Sequence, residues 1–406
     1  MSRNWHTFIK LLFKMRKLVP LTILLLVCIA CGNIQEVHDG LLRIPVNVDD
    51  ATTDASTFLE KIEIVPLETN DSVLFNYPSE VIYDKNTNMY AVTSRMDVFT
   101  FTGEGKAIGN STKKRGQGPD EYSMILDMKF NHFLNGIDLL NPYGIIYTYS
   151  PTFELLARRN FKPEFPVNHF MALDTNNYAF TFPFIWTDQE VAFVNIETGN
   201  TVNAKYQGTI SEGNGLKHQY FHKVGDRFYF IPRGVNYNIY QIDTLKKEIF
   251  PIIYLDFGEA EIKEDGLPGR ASGKRTDNDK ERMKIADDFS ARHNFLREST
   301  THFIPMQTLL SENYIYIFIV KGQERYGRHY IYNRVKKKGY LIKIDVPFCM
   351  YDCFGIDDNV LLAICQPTEL PQYVDCQFMT EKEIAKMERL KDCLLYTSPS
   401  PRDQRG

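Results

Sequence analysis

Cysteine is missing from the whole stretch between Cys31 and Cys349 of this 406-residue chain. A disulfide-stapled framework would spread its cysteines along the sequence, so none is expected here. Four cluster late, at Cys349, Cys353, Cys365 and Cys376, where one local disulfide and buried thiols both remain open. Long apolar runs are scarce too: the run Leu18 to Ala30 is too short to span a bilayer comfortably. Basic charge is in deficit. Gly32 to Asp392 holds 40 Lys and Arg against 50 Asp and Glu, a formal −10, which argues against nucleic acid or anionic lipid as a partner. Catalytic signatures are lacking as well: no Gly-x-Ser-x-Gly elbow and no zinc-protease motif occurs. Gly269 to Lys274 imitates a phosphate loop, but Pro268 stands where its first glycine belongs and Arg275 replaces the metal-binding hydroxyl.

The two ends set themselves apart. Residues 1–30 carry five basic residues, no acidic ones, and then the apolar run, which together read as a secretory signal. The run closes on Val27-Cys-Ile-Ala-Cys31-Gly32, which resembles a lipobox with Cys28 in place of the preferred leucine. Cys31 is therefore the expected lipidation site, and residues 31–57 the tether and leading strand. Acyl chains there would anchor the protein in a membrane, each buried methylene contributing about 0.8 kcal/mol. At the other end, residues 393–406 look like an in-frame translation of a sequencing adapter, so the natural chain is expected to continue beyond Asp392.

Between these ends the sequence repeats. Val98-Phe-Thr-Phe-Thr-Gly, Ile146-Tyr-Thr-Tyr-Ser-Pro, Ala192-Phe-Val-Asn-Ile-Glu and Ile239-Tyr-Gln-Ile-Asp-Thr align, and their starts are 48, 46 and 47 residues apart. Each is a strand, a polar turn and a second strand. About 20 residues ahead of a hairpin stands another strand pair with an Asp/Asn-rich turn, as in Val81 to Val92. Four strands per period of about 47 residues is the size of a propeller blade. Further units open near Leu309 and Cys353. The expectation is all-β: a six-bladed β-propeller of four-stranded blades over residues 58–392. Phe58 to Leu67 would supply the strand that closes the ring, with Pro66 tolerated at its end. A helix capped by Thr276 or Asp277 is expected in the insertion between blades four and five. A second, with a capping box at Thr380 and Glu383, is expected in the last blade.

Arg115-Gly-Gln-Gly-Pro-Asp-Glu-Tyr122 resembles the inter-blade linker of NHL-type six-bladed propellers. Glu63-Ile-Val-Pro-Leu-Glu68 and Leu255-Asp-Phe-Gly258 resemble a propeller lipoprotein family of Bacteroidota. The resemblance implies fold and export, with the protein held in the cell envelope on the outer membrane, at its periplasmic or surface face. Physically, Gly116 and Gly118 would supply positive φ, Pro119 would fix the exit, and Glu121 and Tyr122 complete the motif, Tyr122 packing between blades.

Other candidates read as structural. Asp84-Lys-Asn-Thr-Asn88 mimics half a calcium loop but lacks its glycine and distant Glu, so it reads as a turn. His218 and His222 share a face without a third ligand and read as rim residues. Cys349 and Cys353 have no histidine partners nearby, and Lys336 to Lys338 form a solvated turn. The leading functional expectation is a non-catalytic binding or scaffold module for a glycan, a peptide or an envelope protein, needing no cofactor. The alternative is a metal-dependent enzyme, lactonase- or lyase-like, with a divalent metal in the central channel. Convergence of Glu80, Asp127, His169 or His222 on the axis would favour the enzyme, and apolar side chains there would count against it.

Overall fold

The computed structural model describes residues 7–12, 40–48, 52–57, 59–70, 73, 75, 78–182, 190–206, 219–232, 235–269, 278–322, 327–342, 353–357, 360–365, 370 and 376–395. Near the N-terminus lie β1 (Thr7–Leu12), β2 (Leu42–Pro45) and β3 (Lys61–Pro66). Four consecutive strands then form the first sheet: β4 (Pro78–Asp84), β5 (Met89–Ser94), β6 (Asp97–Thr102) and β7 (Ala107–Asn110). The second holds β8 (Asp127–Asn131), β9 (Gly136–Leu140), β10 (Ile145–Tyr149) and β11 (Leu155–Asn160). The third holds β12 (Phe170–Ala172), β13 (Asn177–Thr181), β14 (Glu190–Asn195) and β15 (Thr201–Lys205). The fourth is β16 (Phe221–Val224), β17 (Arg227–Phe230), β18 (Asn238–Asp243) and β19 (Glu248–Asp256), with β2 added parallel at its outer edge. The fifth is β20 (Ile304–Leu310), β21 (Tyr314–Val320), β22 (Arg328–Asn333) and β23 (Lys338–Ile342).

These five are complete blades of a β-propeller, each an antiparallel meander. A further sheet is composite. It runs β24 (Cys353–Asp357), β25 (Val360–Cys365), β1 and β3, so both ends of the sequence contribute. The ring-closing role expected of the segment around Phe58 to Leu67 thus falls to β3, which joins β24 and β25 through β1.

The cores explain the architecture. Each apolar cluster lies between neighbouring sheets rather than inside one. Ile82, Ala91 and Val98 of the first sheet pack on Met128, Ile137 and Leu139 of the second. Leu140 and Ile146 then meet Phe170 and Phe180, and Phe193 meets Phe221 and Phe230. Leu362 and Ile364 of the composite sheet return to Val81 and Val92 of the first. Middle strands are therefore apolar on both faces, whereas the outer strand β11 alternates half-buried and exposed positions.

Polar turns hold the hairpins. Asp84 and Asn131 end their inner strands and Asp174 follows β12, while Asn195, Asp243 and Asn333 end the third strands. Each side chain accepts from backbone N–H groups two or three residues on. The Asp84 stretch is thus a turn, as its sequence suggested, and Lys336 to Lys338 also lie at a hairpin.

Among the described residues, two α-helices of several turns break the pattern. The insertion helix α1 (Asp279–Glu298) is capped by Asn278, whose side chain accepts from Lys280 and Glu281 N–H. That corrects the expected cap at Thr276 or Asp277, which lie outside the described residues. It starts later and runs much further than the sequence suggested, because Arg292 and Leu296 bury its last turns. The last helix, α2 (Glu381–Leu395), is capped at Thr380, whose hydroxyl accepts from Glu383 N–H at 3.3 Å. Only half of the capping box forms. The Glu383 carboxylate reaches instead to the closing strand, accepting from Ile64 N–H at 2.8 Å.

Candidate functional site

Inner strands meet between sheets: β4 lies beside β8 and β24, β8 beside β12, and β20 beside β16 and β24. Asp127 opens β8, and Lys129, two residues on, shares its face because side chains alternate along a strand. Glu80 comes from β4 after a bulge, His169 immediately precedes β12, and Tyr220 immediately precedes β16.

These residues form one polar chain across four sheets. The Lys129 ammonium lies 2.8 Å from Asp127 Oδ1 and 3.7 Å from Glu80 Oε1. Asp127 Oδ2 lies 3.5 Å from His169 Nδ1 and accepts from Phe170 N–H at 3.0 Å, tying the second sheet to the third. The His169 ring stacks on Tyr220 of the fourth sheet, centroids 4.5 Å apart. His222 is buried, with Nε2 3.0 Å from the Gln219 carbonyl oxygen.

The electrostatics follow from burial and pairing. Burial alone would raise the Asp127 carboxyl, but Lys129 and His169 overcome it and hold the group well below the usual carboxylate range. Burial would likewise lower the Lys129 ammonium, and Asp127 and Glu80 outweigh it and push it up. His222 is lowered to about 4, chiefly by burial, with Lys129 adding repulsion, so it is neutral at pH 7. Burial overturns its expected place among rim residues. His218 lies outside the described residues.

Glu80, Asp127 and His169 therefore converge as the enzyme alternative required, but with Lys129 between the carboxylates. Its ammonium takes the place a divalent cation would need. No group of three His, Cys, Asp or Glu suited to a metal occurs among the described residues. Sequence reasoning missed Lys129 and Tyr220. The first was legible in the Asp127-Met-Lys129 alternation, whereas the second depends on a contact between blades.

The linker motif is placed between the first two sheets. Tyr122 is fully buried there, its hydroxyl donating to the Met96 carbonyl at 2.9 Å and hydrogen-bonded to Ser111. Neither Gly116 nor Gly118 has positive φ, which corrects the expected reason for them. Close approach explains both: the Glu121 carboxylate folds over the loop and accepts from Gly118 N–H at 2.8 Å, and a Cβ on Gly116 would overlap it. Pro119 lies in the turn between Gly118 and Glu121. Cys365 is buried and Cys376 is exposed; Cys31 and Cys349 lie outside the described residues.

Residues 41–396 match the family described as "Domain of unknown function (DUF4934)". The chain belongs to that family. Among solved structures, the DUF4934 chain is similar to a Bacteroides fragilis protein provisionally described as exported. That match has a TM-score of 0.58 at 15% identity, over 80% of this chain and 99% of the other. A Bacteroides vulgatus member of the DUF4221 family is more distant, with a TM-score of 0.43 at 11% identity over 74% and 96%. No curated protein matches. At these identities the likeness concerns the fold, so the chemistry of DUF4934 rests on its own residues.

Proposed function

We propose that this DUF4934 chain is an exported, lipid-anchored, non-catalytic binding module. Its composite sheet serves as a sixth blade, and its ligand enters the channel end around Lys129. The observation that carries the reading is the chain Glu80–Lys129–Asp127–His169–Tyr220, which gathers donors, acceptors and an aromatic face from four sheets at one mouth. Lys129 makes one close hydrogen bond, to Asp127, and an ammonium has three protons to give. A polar ligand such as a glycan or an extended peptide, or an envelope protein presenting one, would complete that set. The signal-like N-terminus, Cys31 in its lipobox-like setting, and the similarity to a Bacteroides protein provisionally described as exported support an envelope location on the outer membrane.

The convergence of two carboxylates and His169 also favours a second reading, a metal-dependent enzyme. Lys129 separates the two, since a divalent ion would have to displace an ammonium already neutralising both carboxylates. The test is a thermal melt against panels of glycans, peptides and divalent metals. A ligand at a hundred times its Kd adds about 2.7 kcal/mol. Stabilisation by a glycan or peptide supports the binding module. Stabilisation by metal, reversed by chelator, would sink it in favour of the enzyme.

A further inference from the structure

Four large apolar side chains stand exposed beside the polar chain: Met96, Met124, Leu126 and Tyr143. Strand register puts them at one end of their sheets. Ser94 pairs with Pro78 and Leu140 with Asp127, so the turns after Ser94 and Leu140, which carry Met96 and Tyr143, lie where β4 and β8 begin. Met124 and Leu126 belong to the segment that leads into Asp127.

Hydrogen bonds tie the four into one surface. The Tyr122 hydroxyl donates to the Met96 carbonyl, the Asn141 side chain to the Met124 carbonyl at 3.5 Å, and Leu126 N–H to the Leu140 carbonyl at 2.8 Å. Around Tyr143 the turn is held on both sides: its own N–H donates to Asn141 Oδ1 at 2.9 Å, and Val167 N–H donates to the Pro142 carbonyl at 2.9 Å. The backbone is fixed, yet the side chain is 68% exposed. A rigidly mounted aromatic beside adaptable methionines is a composition suited to contact with another chain.

Two features select the occupant. Three of the four side chains are flexible and aliphatic, whereas a sugar ring lays its C–H face on flat aromatic rings. Such chains fit the apolar side chains of a peptide. Charge sets the second requirement. Glu80 and Asp127 are two carboxylates against the one ammonium of Lys129, in a domain of formal charge −10. The Asp127 side chain is 2% exposed and Glu80 16%, so Glu80 is the carboxylate within reach of an incoming cation.

We propose that the occupant of the channel mouth is an extended peptide carrying an apolar and a basic side chain. The inference rests on the binding-module reading above and names its ligand class. The apolar side chain lies on Met96, Met124, Leu126 and Tyr143, the basic group meets Glu80, and a peptide carbonyl accepts from Lys129.

The test screens the full chain, at about 0.15 M salt, against a glycan array and an array of acetylated hexapeptides permuting Leu, Phe, Lys, Glu and Ser. Peptides holding Leu or Phe together with Lys should bind at least about tenfold more tightly than those with either alone. Tyr143→Ser, and Met124→Ser with Leu126→Ser, should each weaken them by about tenfold. Glu80→Gln should weaken the Lys peptides by about tenfold and leave their Ser counterparts unchanged. Thermal melts verify folding, and Tyr143→Ser alters only an exposed ring, so it carries the test if a variant nearer the cluster fails to fold. Lys peptides that bind equally with and without an apolar residue would show mere attraction to an acidic surface and overturn the inference, as would a peptide array without any ligand. Glycan binding alone, lost in Lys129→Met, would overturn the peptide and spare the mouth. Peptide binding that survives Lys129→Met but falls in Tyr143→Ser would defeat the mouth reading on which the inference rests.

Discussion

Replacing Glu383 by alanine should loosen the closing strand by a calculable amount. One carboxylate oxygen accepts from Ile64 N–H at 2.8 Å, and both lie within 2.9 Å of the Lys386 ammonium, which itself donates to the Ile64 carbonyl. Glu383 is buried, so its removal leaves the Ile64 amide without its acceptor and Lys386 without its counter-charge. A hydrogen bond to a charged group is worth about 1.5–3 kcal/mol. The ion pair adds at most about 1 kcal/mol, because Lys386 is a quarter exposed and can turn to water. Alanine is a good helix former, so helix propensity offsets little. The expected loss is about 2–4 kcal/mol in a urea melt, with faster exchange at the Ile64 amide. Glu383→Gln keeps an acceptor and should cost less. A loss below about 0.5 kcal/mol for alanine would refute the claim that this pair holds the ring closed.

The linker gives a second prediction: Gly116→Ala should cost about 1–2 kcal/mol by evicting the Glu121 carboxylate from Gly118 N–H, and the cost should vanish in a Glu121→Ala background. Equal costs in both backgrounds, from denaturant melts, would point to the backbone instead. Tyr122→Phe should lose about 1–2 kcal/mol, because the Met96 carbonyl loses its donor and the Ser111 hydroxyl proton its acceptor, read the same way, and an unchanged midpoint would contradict it. Burial lowers His222 and His329 to about 4 from an ordinary 6.5. Between those values the unfolded chain binds protons that the folded chain refuses. Stability from these groups is therefore complete above pH 6.5 and lost as pH falls toward 4, on the order of 3 kcal/mol each. Imidazole NMR titrations check it, and a midpoint near 6.5 for either ring would contradict the burial argument.

The blades were legible because a strand buried on both faces must be apolar at nearly every position, and the hairpin between must turn on Asp or Asn. Val98-Phe-Thr-Phe and Asp84 display both rules in sequence. Helix limits were less so, because the length of α1 is decided by Arg292 and Leu296 packing at its far end. The glycine pair was noticed for the right loop and the wrong reason, since a carboxylate folding back from Glu121 leaves no trace in composition. The axial cluster was half visible: Glu80, Asp127, His169 and His222 were singled out by position alone. What joins them, Lys129, looked like any strand lysine until the sheets were set around an axis. The origin of the third strand beside β25 had no sequence signal, because β1 lies in a segment that reads as a leader.

The most direct test of the central claim is calorimetric titration of whichever compound stabilises the protein into the wild type and into Lys129→Met, which keeps the stem and removes the charge. A loss of at least about tenfold in affinity, or about 1.4 kcal/mol, is expected in a variant that still melts cooperatively. Equal affinity for the two proteins would place the ligand elsewhere and contradict the assignment of the channel mouth as the binding site.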